Sequence, residues 1–332
     1  MEYNEFRDVL KNYLSDCLAR EGLDDSYECV FDVGNKINCP DQEYLIIKDK
    51  ENAFDIAARL PVEELYKRYQ DGDTLENIAT ACIASRVQAN LMMDEYGETL
   101  KLLDPDYIKE NAFIQVISAA TNQDMLRSIP FQKVEGFDDL AVIARVDLSE
   151  SFNAEPGTRT SCVIHNKMFD SLGISKNKLF EIAKHNSEIN EPLSITTMAE
   201  TMKQIMIDDG MPEEVANQMV ESIQSGPDMF VMTNPKKMDG ASVIAYEGFK
   251  KQLADRVGED CYILPSSIHE CLAIKVSDVE DEEYVLDMVS SINSTQVAPK
   301  DRLSNNIYKL NVSTLNIQTV SADMSRGYDR DR

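Results

Sequence analysis

The stretch from Tyr262 to Ile274, YILPSSIHECLAI, gathers Ser266, Ser267, His269 and Glu270 between two apolar runs. These are side chains of acyl-transfer chemistry: a hydroxyl nucleophile, an imidazole base and a carboxylate to orient it. Such a site needs the base within about 3 Å of the hydroxyl and an orienting acceptor behind the base. The spacing meets this only in part. In an extended segment Ser267 and His269 share a face, because they are two positions apart, and Ser266 and Glu270 do not both join them. The GxSxG elbow that exposes a nucleophile on a sharp strand-to-helix turn is missing. A structural reading uses the same letters more economically. Pro265 holds Leu264 extended and ends a strand, the serine hydroxyls satisfy loop N–H groups, and His269 or Glu270 bridges to a neighbouring element. Such a link can also line a ligand pocket without catalysing anything, and a histidine beside a glutamate can serve as a proton carrier. The structural role is favoured; a hydrolase with catalytic candidates Ser266, Ser267, His269 and Glu270 is the alternative.

Metal and cofactor chemistry find less to work with. His165, His185 and His269 are the only histidines, HECLA lacks the second histidine of an HExxH helix, and Asp208-Asp209 has no histidine beside it. A metal-dependent enzyme using scattered carboxylates is the remaining metal reading, but with 59 acidic residues chance neighbours are expected, so no metal ligand is assigned. The Asp71-Gly72-Asp73 turn lacks the spacing of a calcium loop and reads as a helix cap in which Asp73 is answered by Glu76. Neither GxGxxG nor GxxxxGK[ST] occurs where a phosphate cradle would need it, so no cofactor is identified. Asp239-Gly240-Ala241 reads as a turn, with Gly240 supplying backbone freedom and Ala241 close packing.

The 33 Lys and Arg stand against 59 Asp and Glu, a net charge of −26 spread along the chain. That field repels phosphate backbones and anionic membranes, so nucleic acid is an unexpected partner. Lys236-Lys237 is the basic pair that stands out in the later half, and a solvated loop explains it. The seven cysteines are scattered with no CxxC, no apolar leader follows Met1, and no apolar run approaches the roughly 20 residues of a membrane span. A cytoplasmic protein with free, partly buried thiols is expected.

The elements that must position any site are legible in the hydrophobic periods. Phe6, Val9, Leu10, Tyr13, Leu14, Cys17 and Leu18 form a helical stripe ended by Gly22, followed by strands at Tyr27 to Val33 and Tyr44 to Lys48, joined through Gly34-Asn35 and Cys39-Pro40-Asp41. Helices follow from Pro61 to Glu95. Residues Ala112 to Ile117 fit either a strand or a short helix, Asn122 to Ser128 a brief helix, and Leu140 to Val146 and Ser161 to His165 strands, with a polar surface loop from Ser149 to Thr160. Three helices occupy the middle, marked by Leu179, Phe180 and Ala183, then Met198, Met202, Ile205 and Met206, then Val215, Met219, Val220 and Ile223. The methionine stripe could serve as an adaptable binding groove, but core packing is the favoured reading. Strands at Met229 to Asn234 and Gly240 to Tyr246 precede a helix closed by Gly258. Strands at Tyr262 to Leu264 and Cys271 to Val276 flank the opening motif, and a last helix is capped by Asp278, reinforced by Asp281, with Val285, Met288, Val289 and Ile292 inward. The expected class is α+β, with mixed or antiparallel sheets and packed helices in two units: 1–125, a helix-hairpin and helical unit, and 126–320, an α+β unit, with a flexible tail at 321–332.

Taken together, YILPSSIHECLAI, MFVMTNPKKMDGASVIAY, LSNNIYKL (Leu303 to Leu310) and YKRYQDGDTLENIA (Tyr66 to Ala79) resemble an uncharacterised family of clostridial gut bacteria, catalogued as a domain of unknown function. The resemblance runs over most of the chain and implies a bacterial cytosolic α+β protein. It implies no activity and therefore no catalytic residues. The expected function is a non-enzymatic module that binds a protein or a small molecule; an accessory structural role, as in a phage, is a weaker reading. No oligomeric state is assigned.

Overall fold

The computed structural model describes residues 1–51, 58–101, 104–152, 154–155, 157–223 and 228–320. The chain divides into two units, Met1–Asp104 and Pro105–Arg332, and it is α+β throughout.

The first unit contains α1 (Tyr3–Arg20), β1 (Tyr27–Lys36), β2 (Cys39–Asp49), β3 (Leu60–Pro61), α2 (Val62–Gln70) and α3 (Leu75–Lys101). Phe6, Leu10, Leu14 and Leu18 recur every fourth residue of α1, so all four fall on one face and are buried. They pack with Leu45 and Ile47 of the antiparallel sheet β1-β2-β3 and with Ile78 and Cys82 of α3. Gly34-Asn35 and Cys39-Pro40-Asp41, expected as connection, are strand instead. The chain reverses at Ile37-Asn38, where Asn38 adopts a φ of 59°, a left-handed conformation that asparagine tolerates better than most residues. The cap on α3 is also displaced by one residue. Thr74 Oγ1 accepts from Asn77 N at 3.1 Å, whereas Asp73 takes the Asn77 amide at 3.0 Å and Arg68 at 2.6 Å. Those contacts hold the Asp73 carboxyl below its usual pKa.

The second unit runs α4 (Pro105–Asn111), β4 (Ala112–Ser118), α5 (Gln123–Leu126), β5 (Phe131–Val134), β6 (Phe137–Asp147), β7 (Ser161–Val163), α6 (Asn166–Ser171), α7 (Lys176–Asn190), β8 (Ser194–Thr197), α8 (Met198–Asp208), α9 (Glu213–Ile223), β9 (Met229–Thr233), α10 (Phe249–Val257), β10 (Cys261–Leu264), β11 (Cys271–Lys275), α11 (Glu282–Thr295), β12 (Ile307–Asn311) and β13 (Asn316–Val320). One antiparallel sheet has the order β13-β12-β10-β11-β9-β8; in the other, β6 pairs with β4 on one side and with β5 and β7. The division falls after Asp104 and not at residue 125 because β4, buried along its whole length, pairs from Ala112 to Ser118 with β6. The outer edge of β4 is closed by side chains: Ser187 of α7 accepts from Ile114 N and Ser242 accepts from Val116 N, both at 3.0 Å. The tail at 321–332 lies outside the described residues.

Several expectations change in this unit. Gly240 to Tyr246 is not a strand; Gly240–Ala245 is a 3₁₀ helix, entered through left-handed Lys237 and Asp239. The methionine stripe is not core, since α8 has no fully buried side chain and Ile205, Val215 and Met219 are exposed on the α8-α9 pair. Asp281, not Asp278, caps α11 by accepting from Glu283 N at 2.9 Å, and Ile292 faces outward. The short strand β8 and helix α6 carry too few apolar residues to show a period. The Ser149 to Thr160 loop ends by sending Arg159 inward, with its side chain only 5% exposed.

Candidate functional site

The PSSIHE segment joins β10 to β11 and is sewn down on both sides. Leu303 N donates to Ser266 O at 3.0 Å, Ser304 N to Pro265 O at 3.0 Å, and Ile268 N to Asp301 O at 2.8 Å. On the other flank Ala241 N donates to Ile268 O at 3.1 Å and Thr233 Oγ1 to His269 O at 2.8 Å. Ser267 and His269 do meet, but through the wrong atoms for nucleophilic catalysis: Ser267 Oγ accepts from the His269 backbone N–H at 3.1 Å. The half-exposed imidazole accepts from Asp239 N at Nδ1, 3.4 Å, and Nε2 lies 3.5 Å from Asp301 Oδ1. With Nδ1 an acceptor, the neutral ring carries its proton on Nε2, facing a carboxylate. Among the described residues no serine hydroxyl bonds to this ring. Glu270 is exposed, and Ser266 contributes its carbonyl to the stitching.

Gly240 belongs to the same junction for reasons of space. A Cβ there would lie 2.1 Å from Thr233 Oγ1, 2.4 Å from His269 O and 3.0 Å from Asn234 N. The backbone freedom that the sequence assigns to Gly240 is used instead by its neighbour Asp239, at a φ of 51°.

Asp239 leads into a buried ionic cluster that the sequence does not reveal. Arg159 Nη1 lies 3.4 Å from Asp239 Oδ2, Nε 3.5 Å from Asp147 Oδ2, and Nη2 contacts the buried Glu191 carboxylate. Its guanidinium carbon stands 4.4 Å from the centroid of the Phe113 ring. Glu191 also takes the Asn234 amide at 2.8 Å and Lys236 Nζ at 3.1 Å, so Lys236 is tied to a buried partner and is not merely solvated. Gln115 extends the cluster, donating to Asp239 at 2.7 Å and accepting from Arg145 at 2.9 Å. Burial lowers the pKa of Arg145, with Asp239 opposing it; burial and then the Arg159 charge lower that of Lys236. Three cations, Arg145, Arg159 and Lys236, thus face three carboxylates, Asp147, Glu191 and Asp239, which balances the charge and fixes β6, α7 and the loop after β9 to one another. A cleft of about 380 Å³ opens beside it between Phe113, Ser149, Asn186, Asn190 and Lys236.

A larger concavity lies on the other face of α7. Lys178, Glu181, Ile182, His185 and Glu188 repeat at helical spacing along one wall of a groove of about 1020 Å³. The corner from Ile244 to Lys251, the β5-β6 turn with Lys133 to Glu135, and Leu315 in the β12-β13 turn complete it. The walls are fixed to each other. Gly136, at a φ of +86°, sits where a Cβ would come within 2.7 Å of Ile317 Cβ, locking the β5-β6 turn onto β13. Lys250 Nζ bonds Glu135 at 2.9 Å, and Glu247 N donates to Glu188 Oε1 at 2.5 Å. The Lys250-Lys251 pair and His185 were readable as letters, but nothing in their spacing places them beside Lys133.

Among the described residues no group of three or more His, Cys, Asp or Glu is arranged to hold a metal ion, and no helix is long and apolar enough to cross a membrane. No curated protein and no solved structure matches the chain. A family model does match residues 3–311, nearly the full length, and by that match the chain belongs to DUF5688, a family of unknown function.

Proposed function

We propose that this protein is a non-enzymatic module that binds a small molecule in the groove between α7 and the start of α10. The observation that carries this reading is a groove of about 1020 Å³ in which the half-buried Ile182 and Leu315 lie among charged side chains of α7, α10 and the β5-β6 turn, a concavity large enough for a small organic molecule. Its walls are braced by Gly136 against Ile317 and by the Lys250–Glu135 pair, so little ordering is required on binding. Hydrolysis at Ser266 to Glu270 lacks comparable support, because the His269 ring is turned to Asp239 N and Asp301. A clostridial, cytosolic setting belongs to the same proposal. It is supported by the motif resemblance, by the net charge of −26 and by the free thiols Cys17, Cys29, Cys82, Cys162, Cys261 and Cys271.

The test is to purify the wild-type chain and Ile182→Trp, which places an indole in the middle of the groove, from a bacterial lysate without added ligand. Both are then compared by native mass spectrometry and by analysis of small molecules released on denaturation. The expected result is a small molecule carried by the wild type and absent from Ile182→Trp at unchanged circular dichroism. Equal recovery from both proteins, or none from either, would sink the reading.

A further inference from the structure

The charges around the α7-α10 groove do not follow the rest of the molecule. The chain as a whole carries −26, yet the groove is lined by Lys133, Lys178, Lys184, Lys250 and Lys251 against Glu135, Glu181, Glu188 and Glu247, which is 5 − 4 = +1 with His185 neutral. Two of these lysines are internally matched, Lys178 with Glu181 at 2.7 Å and Lys250 with Glu135 at 2.9 Å. Glu188 is engaged by Glu247 N. Lys133, Lys184 and Lys251 have no carboxylate within ion-pair distance among the described residues. In a protein with 59 acidic residues and 33 basic ones, a carboxylate would be the ordinary neighbour of a lysine. Lys133 and Lys251 outside any ion pair, with Lys184 acting on Glu135 only through space, outnumber the one lining carboxylate, Glu247, that has neither an ion pair nor a backbone donor, and so mark the place where an anion is least repelled. The first turn of α10, whose Phe249, Lys250 and Lys251 line the same groove, has no side-chain cap because its N-cap is Gly248, which leaves backbone donors consistent with the lysine arrangement.

Among the same lining residues Ile182 and Leu315 are apolar and half-buried, with Ile244 and Phe249 packed into the core behind the groove. An inorganic ion would leave Ile182 and Leu315 without a partner. A ligand with an anionic head and an apolar body engages both them and the lysines.

Building on the small-ligand reading above, we propose that the groove takes a small organic anion, its phosphate or carboxylate head among Lys133, Lys184 and Lys251 and its apolar body against Ile182 and Leu315. The strongly negative surroundings work against long polyanions such as nucleic acid, whose charges would extend beyond the basic patch.

The full chain is titrated with phenyl phosphate, phenylacetate and the neutral benzyl alcohol, followed by calorimetry and by amide chemical-shift changes. One or both anions are expected to bind with millimolar or better affinity and to shift residues of α7 and α10, with benzyl alcohol at least about tenfold weaker. The two anions separate a phosphate site from a carboxylate site. Lys184→Gln with Lys251→Gln is expected to weaken the anion about tenfold and leave benzyl alcohol unchanged. If benzyl alcohol binds in the groove as tightly as the anions, or the double variant binds the anions like the wild type, the anion proposal is overturned while the small-ligand reading stands. If no probe shifts groove residues at millimolar concentration, the anion proposal also falls, and the lysate experiment decides the broader reading separately.

Discussion

Arg159→Met tests whether the ionic cluster holds the second unit together. Methionine keeps an unbranched apolar stem against Phe113 but removes a charge whose side chain is 5% exposed and which faces Asp147, Glu191 and Asp239. At 3.4 Å the Arg159–Asp239 pair has a gross attraction of about 5 kcal/mol for an effective dielectric near 20. Desolvation in the folded protein consumes much of that attraction, so the pairs cannot be summed. What the substitution exposes is the cost of carboxylates left buried without their partner, about 3–5 kcal/mol when one member of a buried pair is removed. The lower part of that range is expected here. Glu191 keeps Lys236 and Asn234, and Asp239 keeps Gln115. Three kcal/mol is a large fraction of the stability of a domain. With a urea m-value of about 2 kcal/mol per molar it moves the midpoint by about 1.5 M. The assay is urea unfolding followed by circular dichroism and by tyrosine fluorescence, there being 13 tyrosines and no tryptophan. Adding Glu191→Gln to Arg159→Met removes the most buried of the stranded charges and should recover about 1 kcal/mol or more. A loss below about 0.5 kcal/mol for Arg159→Met would place the guanidinium in solvent and refute the argument.

Gly240→Ala should cost about 2–3 kcal/mol by urea unfolding. With a Cβ 2.4 Å from the His269 carbonyl oxygen overpacking costs about 2 kcal/mol and the displaced Thr233–His269 bond about 1, offset by up to about 1 from the stiffer unfolded chain. Gly22→Ala, where nothing lies within 4 Å, should lose only the left-handed backbone preference, about 1 kcal/mol; equal losses at the two sites would contradict the packing argument. For the thiols, burial pushes Cys82 and Cys261 up to about 12 and also raises Cys29 and Cys271. A disulfide reagent at mildly alkaline pH should therefore reach these cysteines only after unfolding. Mass mapping that finds Cys261 or Cys271 labelled in the native protein would show the core to be more open than described.

What the sequence determined by itself was local. The four-residue recurrence of Phe6, Leu10, Leu14 and Leu18 specifies α1 because a helix returns to the same face at that interval. In the same way Phe249, Leu253 and Val257, closed by Gly258, specify α10, and the strands on either side of PSSIHE could be read from their apolar runs. The α+β class follows from the succession of such segments. The misread segments also have local causes. Gly240–Ala245 looks like a strand because Val243 and Ile244 are β formers, but its path is set by the close approach of Thr233 and His269 O. Only the tertiary structure decided which residues share a site. Arg159 reads as the end of a polar loop until the pairing of β7 with β6 carries it toward Asp147 and Glu191. Lys133, Lys184, Lys251 and Leu315 come from four separate segments, and they surround one groove only because α7, α10 and the β5-β6 and β12-β13 turns converge there. Side-chain periods record which face of an element is buried. They carry no record of which distant element covers it, and both the ionic cluster and the groove depend on that second choice.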